Sequence, residues 1–136
     1  MRLARERSEL RIVADQVGAP TSARAIADGL GLILASAAAP KDLIRQKFDE
    51  ADGLVHITAS GETSWHGFAS TIVDGLRKRG LQLAVSNIAA IETREFPTKA
   101  VRPLNSRLDM GRVERIFGIK MPTWRDALSA RLRSER

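Results

Sequence analysis

Apolar positions along this chain fall into short period-two runs separated by helical stripes. LRIVA, residues 10–14, is a short strand pattern whose Ile12 and Val13 are β-branched. The charged residues 1–9 before it read as the tail of an amphipathic helix, with Leu3 and Leu10 at heptad spacing. DQVGAP, residues 15–20, carries Gly and Pro turn signals. Thr21 or Ser22 then caps a helix to about Ala37, with Ile26, Leu30, Ile33 and Leu34 on one face and Gly29 and Gly31 weakening it. Residues 40–52 form a second short helix or a polar excursion. Alternation returns in LVHIT, residues 54–58, which predicts a second strand, and ASGET at 59–63 turns the chain. Thr63 or Ser64 caps a helix to Arg79 that places Phe68, Ile72 and Leu76 at successive four-residue steps. Residues 81–91 hold a third extended segment. Asp109 caps a short helix that runs to Phe117 and ends at Gly118, and Thr123 with Asp126 opens a last helix to about Glu135. The pattern is α/β: two or three strands alternating with helices and covered by them. No internal repeat or linker breaks residues 1–136, so one portion is expected.

The loop FPTKAVRPLNSRLD, residues 96–109, stands out from this pattern. Pro97 and Pro103 push Phe96 and Arg102 towards extended geometry. The loop thereby holds Lys99, Arg102 and Arg107 on a stiff support. That suits an anionic ligand such as a diphosphate, although a solvated connection with unused arginines would look the same. Two other loops follow strands: DQVGAPT at 15–21 and SGETSW at 60–65. Ligands bind at such strand ends in α/β folds. Trp65 could anchor the start of its helix or stack on a ligand. Gln16 could bond a ligand or close its own turn.

Composition narrows the chemistry. The chain has 136 residues, a net charge of +6, no cysteine and no tyrosine. The positive balance raises the prior for an anionic partner. Its cations are interspersed with acids, and the densest run, Arg77-Lys78-Arg79, sits where a helix dipole favours cations. With few aromatics and no recognition-helix signature, nucleic acid is not expected. The absence of cysteine excludes disulfides, thiolate nucleophiles and cysteine-based zinc sites, and fits a cytoplasmic protein. No apolar run is long enough to span a membrane. His56, between apolar strand residues, reads as structural, and His66, at a helix start, as surface or ligand-proximal. Two histidines without a carboxylate cluster make a poor metal site, so none is expected. There is no G-x-S-x-G elbow or Walker A motif. Gly29-Leu30-Gly31 lies inside a helix pattern and is not a dinucleotide fingerprint. No catalytic or cofactor-binding residue can be named.

The three loops in this order resemble the C-terminal part of the dTDP-4-dehydrorhamnose reductases, extended short-chain dehydrogenases/reductases with a Rossmann-type NAD(P)-binding fold. The pieces that carry the resemblance are LRIVADQVGAPTSARAIAD, GLVHITASGETSWHGFA and FPTKAVRPLNSRLDMGRVERIFGIKMPTWRDAL, which together span nearly the whole chain. MRLARERSEL is also similar to the family's helix before that first strand, and no cap residue opens it, as though the chain began inside a larger architecture. In that family an N-terminal Rossmann part binds NADPH through a glycine-rich loop. A Tyr-x-x-x-Lys pair supplies the proton as hydride reduces the C4 ketone of a dTDP-6-deoxy-hexulose, giving dTDP-L-rhamnose for polysaccharide biosynthesis.

The resemblance implies a substrate-binding portion that closes over a dTDP-sugar. It places Arg102 and Asn105 near that ligand, Gln16 and Gly18 on a facing loop, and Trp65 close behind. Arg102 is the candidate for a diphosphate contact. The glycine-rich loop and the Tyr-x-x-x-Lys pair have no counterpart here, so the expectation is that this chain alone neither binds NADPH nor reduces the keto-sugar, and holds dTDP-sugars weakly. A Rossmann part supplied from elsewhere, or self-association through the face of Ile26, Leu30 and Ile33, is the expected partner. The alternative is a non-catalytic interaction module, as in the related regulatory beta subunit of methionine adenosyltransferase.

Overall fold

A computed structural model describes residues 2–36 and 41–134. These residues form two compact units. The first comprises residues 2–19, 62–107 and 128–134, and the second comprises 20–36, 41–61 and 108–127.

The first unit is built on two parallel strands. Helix α1 (Arg2–Glu6) leads into β1 (Glu9–Val13), which pairs with β4 (Asn87–Ile91) in the register Glu9 to Asn87 through Val13 to Ile91. A parallel pair needs a crossover, and here it includes α4 (Trp65–Lys78). The Ser64 hydroxyl caps α4 by accepting the Gly67 N–H at 3.1 Å. The helix buries Val73 and Leu76, and Val73 packs with Ala4 and Val85. His66 Nε2 lies 3.0 Å from the Ile88 carbonyl, which ties α4 to β4. His66, expected at the surface or near a ligand, is half-buried and makes this structural contact. A second, two-residue ladder pairs β2 (Val17–Gly18) with β3 (Thr63–Ser64) antiparallel. Gly18 also lies close against residue 106: a Cβ on it would stand 2.5 Å from the Ser106 hydroxyl oxygen.

The second unit is helical. Its α2 (Ala23–Ala35) is capped by Ser22, whose hydroxyl accepts the Ala25 N–H at 3.1 Å. Thr21, the other cap candidate, instead accepts the Ala59 N–H at 3.0 Å. The helix buries Ala25, Gly29 and Ile33, while Ile26 and Leu30 of the expected stripe are exposed. Ile33 is 5% exposed in the core, whereas Leu30 is 46% exposed. The polar stretch after α2 is a helix, α3 (Lys41–Glu50). Then α5 (Gly111–Phe117) adds Val113, Ile116 and Phe117 to the core and ends at Gly118 with φ 70°. Asp109 does not occupy the cap position, which is Met110, but its carboxylate accepts the Gly111 N–H at 2.8 Å. The last helix, α6 (Trp124–Ser134), begins where Thr123 accepts the Asp126 N–H at 3.1 Å, and its residues from Leu128 on belong to the first unit.

Two expected strands differ. Residues 54–58 form no ladder, although Val55 and Ile57 pack against the helical core. Their alternation reflects one buried side of an extended segment: the Thr58 N–H meets the Met110 sulphur at 3.3 Å and the next N–H goes to Thr21. Of residues 81–91, only 87–91 pair, because that is the stretch opposite β1. Ala37, Pro40 and Glu135, where element ends were expected, lie outside the described residues.

Candidate functional site

The ends of β1 and β4 set the geometry of the site. Beyond Val13 the ladder closes with the Ala14 N–H donating to the Ile91 carbonyl at 2.9 Å. The next residues meet through side chains. The Asp15 carboxylate accepts the Thr93 N–H at 3.0 Å and the Thr93 hydroxyl at 2.7 Å. These bonds hold the Asp15 carboxyl below its ordinary pKa, the backbone N–H first and the hydroxyl second, against a smaller opposing effect of burial.

Thr93 opens a 3-10 turn, Thr93–Glu95, closed by a reciprocal capping box between Glu92 and Glu95. The other oxygen of Glu95 accepts from Arg11 on β1 at 2.8 Å. The Phe96 N–H donates to the Thr93 carbonyl at 3.0 Å, and the Pro-containing loop starts there. Its far end is tied by backbone bonds: the Val17 N–H to the Leu104 carbonyl at 2.7 Å, and the Ser106 N–H to the Val17 carbonyl at 2.9 Å.

Between these anchors lies a cavity of about 310 Å³, lined by Arg11, Ile12, Val13, Gln16, Trp65, Phe96, Thr98 and Arg102. All of them belong to the first unit. Two guanidiniums, an amide and a hydroxyl share this wall with two aromatic rings, and no carboxylate lines it. Such a wall fits a ligand that is both anionic and flat-faced. Trp65 is 51% exposed, which leaves its ring available and does not fit a buried helix anchor.

Of the five residues singled out from the sequence, Gln16, Trp65 and Arg102 come together in this cavity. Gln16 neither closes its own turn nor stands free, since its amide donates to Thr93 Oγ1 at 3.1 Å. Asn105 and Gly18 are not among the lining residues. The Asn105 side-chain oxygen accepts from Arg107 Nε at 2.9 Å, and its backbone bridges to Val17 beside Gly18. Arg107 also pairs with Glu62. Of the loop's cations, Arg102 therefore faces the cavity while Arg107 fastens the loop. Sequence reasoning missed Arg11, Phe96 and Thr98. The one legible signal for Arg11 was a cation inside a strand run.

Among the described residues no group of three or more His, Asp and Glu is placed to hold a metal ion. None of the described helices is long and apolar enough to cross a membrane.

The RmlD substrate binding domain family matches residues 1–136. The dTDP-4-dehydrorhamnose reductase of Burkholderia thailandensis is 46% identical over 132 residues, which are 94% of this chain and 42% of that protein. That of Salmonella typhimurium is 39% identical over 124 residues, 91% of this chain and 39% of that protein. The solved dTDP-4-dehydrorhamnose reductase of Bacillus anthracis, in complex with NADP, superposes with a TM-score of 0.73 at 26% identity, covering 99% of this chain and 41% of that one. The chain thus spans about two fifths of the length of the relatives it matches.

Proposed function

This chain belongs to the RmlD substrate binding domain family, and we propose that residues 1–136 form the single portion of a dTDP-4-dehydrorhamnose reductase that holds the dTDP-sugar. The observation that carries this reading is the cavity that collects Gln16, Trp65 and Arg102 with Arg11, Phe96 and Thr98. In it Arg102, on the proline-stiffened loop, takes the diphosphate, because a guanidinium fork matches paired phosphate oxygens. The faces of Trp65 and Phe96 take a ring, and the Gln16 amide and Thr98 hydroxyl bond its edge or the sugar. Gly18 and Asn105 contribute by holding the facing loops together.

NADP, which the Bacillus anthracis protein binds, does not fit the residues present here. Gly29 and Gly31 lie inside α2, and Met121 and Ile57 fill the space beside Gly29. The chain contains no tyrosine to supply a proton. No reduction step is assigned to this chain: its residues bind and orient a nucleotide-sugar, and turnover requires a Rossmann part. The reading places the protein in the cytoplasm, acting towards polysaccharide biosynthesis.

Titration of dTDP into the 136-residue protein, followed by calorimetry and NMR, tests the reading. Expected are weak binding and resonance shifts at Trp65, Phe96 and Arg102, with no NADPH oxidation when the keto-sugar is added. Shifts confined to other residues would reject the site, and turnover by the pure chain would reject its inactivity. A stable complex with an unrelated enzyme and no affinity for dTDP would favour the interaction module.

A further inference from the structure

Thr93 and its turn stand where three lines of contact to the cavity meet. A threonine hydroxyl has one proton to donate and lone pairs to accept with. Its proton goes to Asp15 Oδ1 at 2.7 Å, since an ionised carboxylate can only accept. Its oxygen is then an acceptor, so Gln16 must present its NH2 group, and does so at 3.1 Å. That fixes which end of the Gln16 carboxamide points to Thr93 and leaves the carbonyl oxygen and one N–H outside this contact. The Thr93 backbone makes two further kinds of contact, one to Asp15 and one to the loop. Its N–H is held by both Asp15 oxygens at 3.0 Å. Its carbonyl accepts the Phe96 N–H at 3.0 Å, at the root of the loop that carries Thr98 and Arg102. Two residues on, Glu95 pairs with Arg11 at 2.8 Å. Gln16, Phe96 and Arg11 all line the cavity, and each is bonded to Thr93 or to its turn.

We propose that Thr93 is a positioning residue of the ligand cavity, its hydroxyl orienting the Gln16 carboxamide and, with Asp15, anchoring the turn that delivers Phe96, Thr98 and Arg102. The proposal rests on the dTDP-sugar reading only for the choice of ligand. Thr93 does not itself line the cavity.

The test uses the whole 136-residue chain with Thr93→Val, which keeps the shape and loses the hydroxyl, and Thr93→Ser, which keeps the hydroxyl. Three quantities are read: the Gln16 side-chain NH2 and the 96–102 amide resonances of the free protein, the dissociation constant of dTDP, and the unfolding midpoint. Thr93→Val should move the Gln16 and 96–102 resonances and weaken dTDP by about fivefold, the worth of one hydrogen bond. Thr93→Ser should return both towards wild type. Unchanged Gln16 and loop resonances in Thr93→Val overturn the proposal. So does a Thr93→Ser variant as impaired as Thr93→Val. If Thr93→Val does not fold, Asp15→Asn replaces it and must move the same resonances. Should the wild-type chain not bind dTDP, the ligand reading fails, while the free-protein resonances still decide the role of Thr93.

Discussion

The Met121 sulphur occupies the space that a side chain on Gly29 would need: a Cβ there would stand 2.9 Å from it, and 3.2 Å from Ile57 Cγ2. Gly29 is therefore a packing glycine on the buried side of α2. Gly31, two residues on, has nothing within 4 Å of the same position. Alanine is favoured over glycine in a helix interior by about 1 kcal/mol, and overpacking a core costs roughly 1–3 kcal/mol. Gly31→Ala should raise stability by about 0.5–1 kcal/mol, whereas Gly29→Ala should leave it unchanged or lower it. Chemical unfolding of the two variants side by side decides this. Equal stabilisation by both would mean that the Met121 contact is not a tight one.

The Asp15 carboxyl titrates below its unfolded value because Thr93 bonds its charged form. A depressed folded pKa contributes stability that is fully present above the unfolded pKa of about 4 and is lost as pH falls through the folded value. Stability should therefore drop below about pH 4 more steeply in the wild type than in Asp15→Asn, which has no such charge to protonate. Urea unfolding from pH 6 down to pH 2.5 measures the difference. Parallel curves would show that the Asp15–Thr93 contact does not favour the ionised form in solution.

Two arginines of one loop should differ sharply in ligand binding. Arg102 lines the cavity, while Arg107 is bonded to Asn105 and Glu62. A charge-assisted hydrogen bond is worth about 1.5–3 kcal/mol, so Arg102→Ala should weaken dTDP by roughly ten- to a hundredfold. Half-exposed ion pairs such as Arg107–Glu62 are worth up to about 1 kcal/mol, which limits Arg107→Ala to about fivefold or less. Calorimetry at low and moderate salt checks both. The Arg102 effect should shrink as salt rises. A larger loss from Arg107→Ala would put the diphosphate elsewhere on the loop.

Features set by near neighbours were legible in the sequence. Ser22, Ser64 and Thr123 bond N–H groups three residues on, and Gly118 takes the left-handed angle that ends α5. Such contacts leave a local pattern. Pairing does not. Val55 and Ile57 alternate like a strand, but a ladder needs a partner that no local pattern reports, and these residues face a helical core instead. β2 and β3 are two residues each, too short to carry a period. The site divides in the same way. Arg102 could be read from the prolines around it and Trp65 from its place at a helix start. Asp15 and Thr93, 78 positions apart, are joined only by the parallel register of β1 and β4.

The two tryptophans give a direct test of whether a ring stacks in the cavity. Trp65 lines it and is 51% exposed, whereas Trp124 is 3% exposed in the second unit. Acrylamide should therefore quench one emission component readily and the other poorly, and Trp65→Phe should remove the accessible one. dTDP and inorganic pyrophosphate share the charge that Arg102 would bind, but only dTDP brings a ring. If that ring lies against Trp65, dTDP should shield the accessible component from acrylamide while pyrophosphate at equal occupancy does not. Trp65→Phe should then weaken dTDP by less than Trp65→Ala, because a smaller aromatic face still stacks. Aromatic pairs are worth about 0.5–1.5 kcal/mol beyond buried area, so Trp65→Ala should cost dTDP at least about twofold and leave pyrophosphate unaffected. Equal shielding by the two ligands would instead mean that Trp65 senses closure of the loop rather than a stacked base.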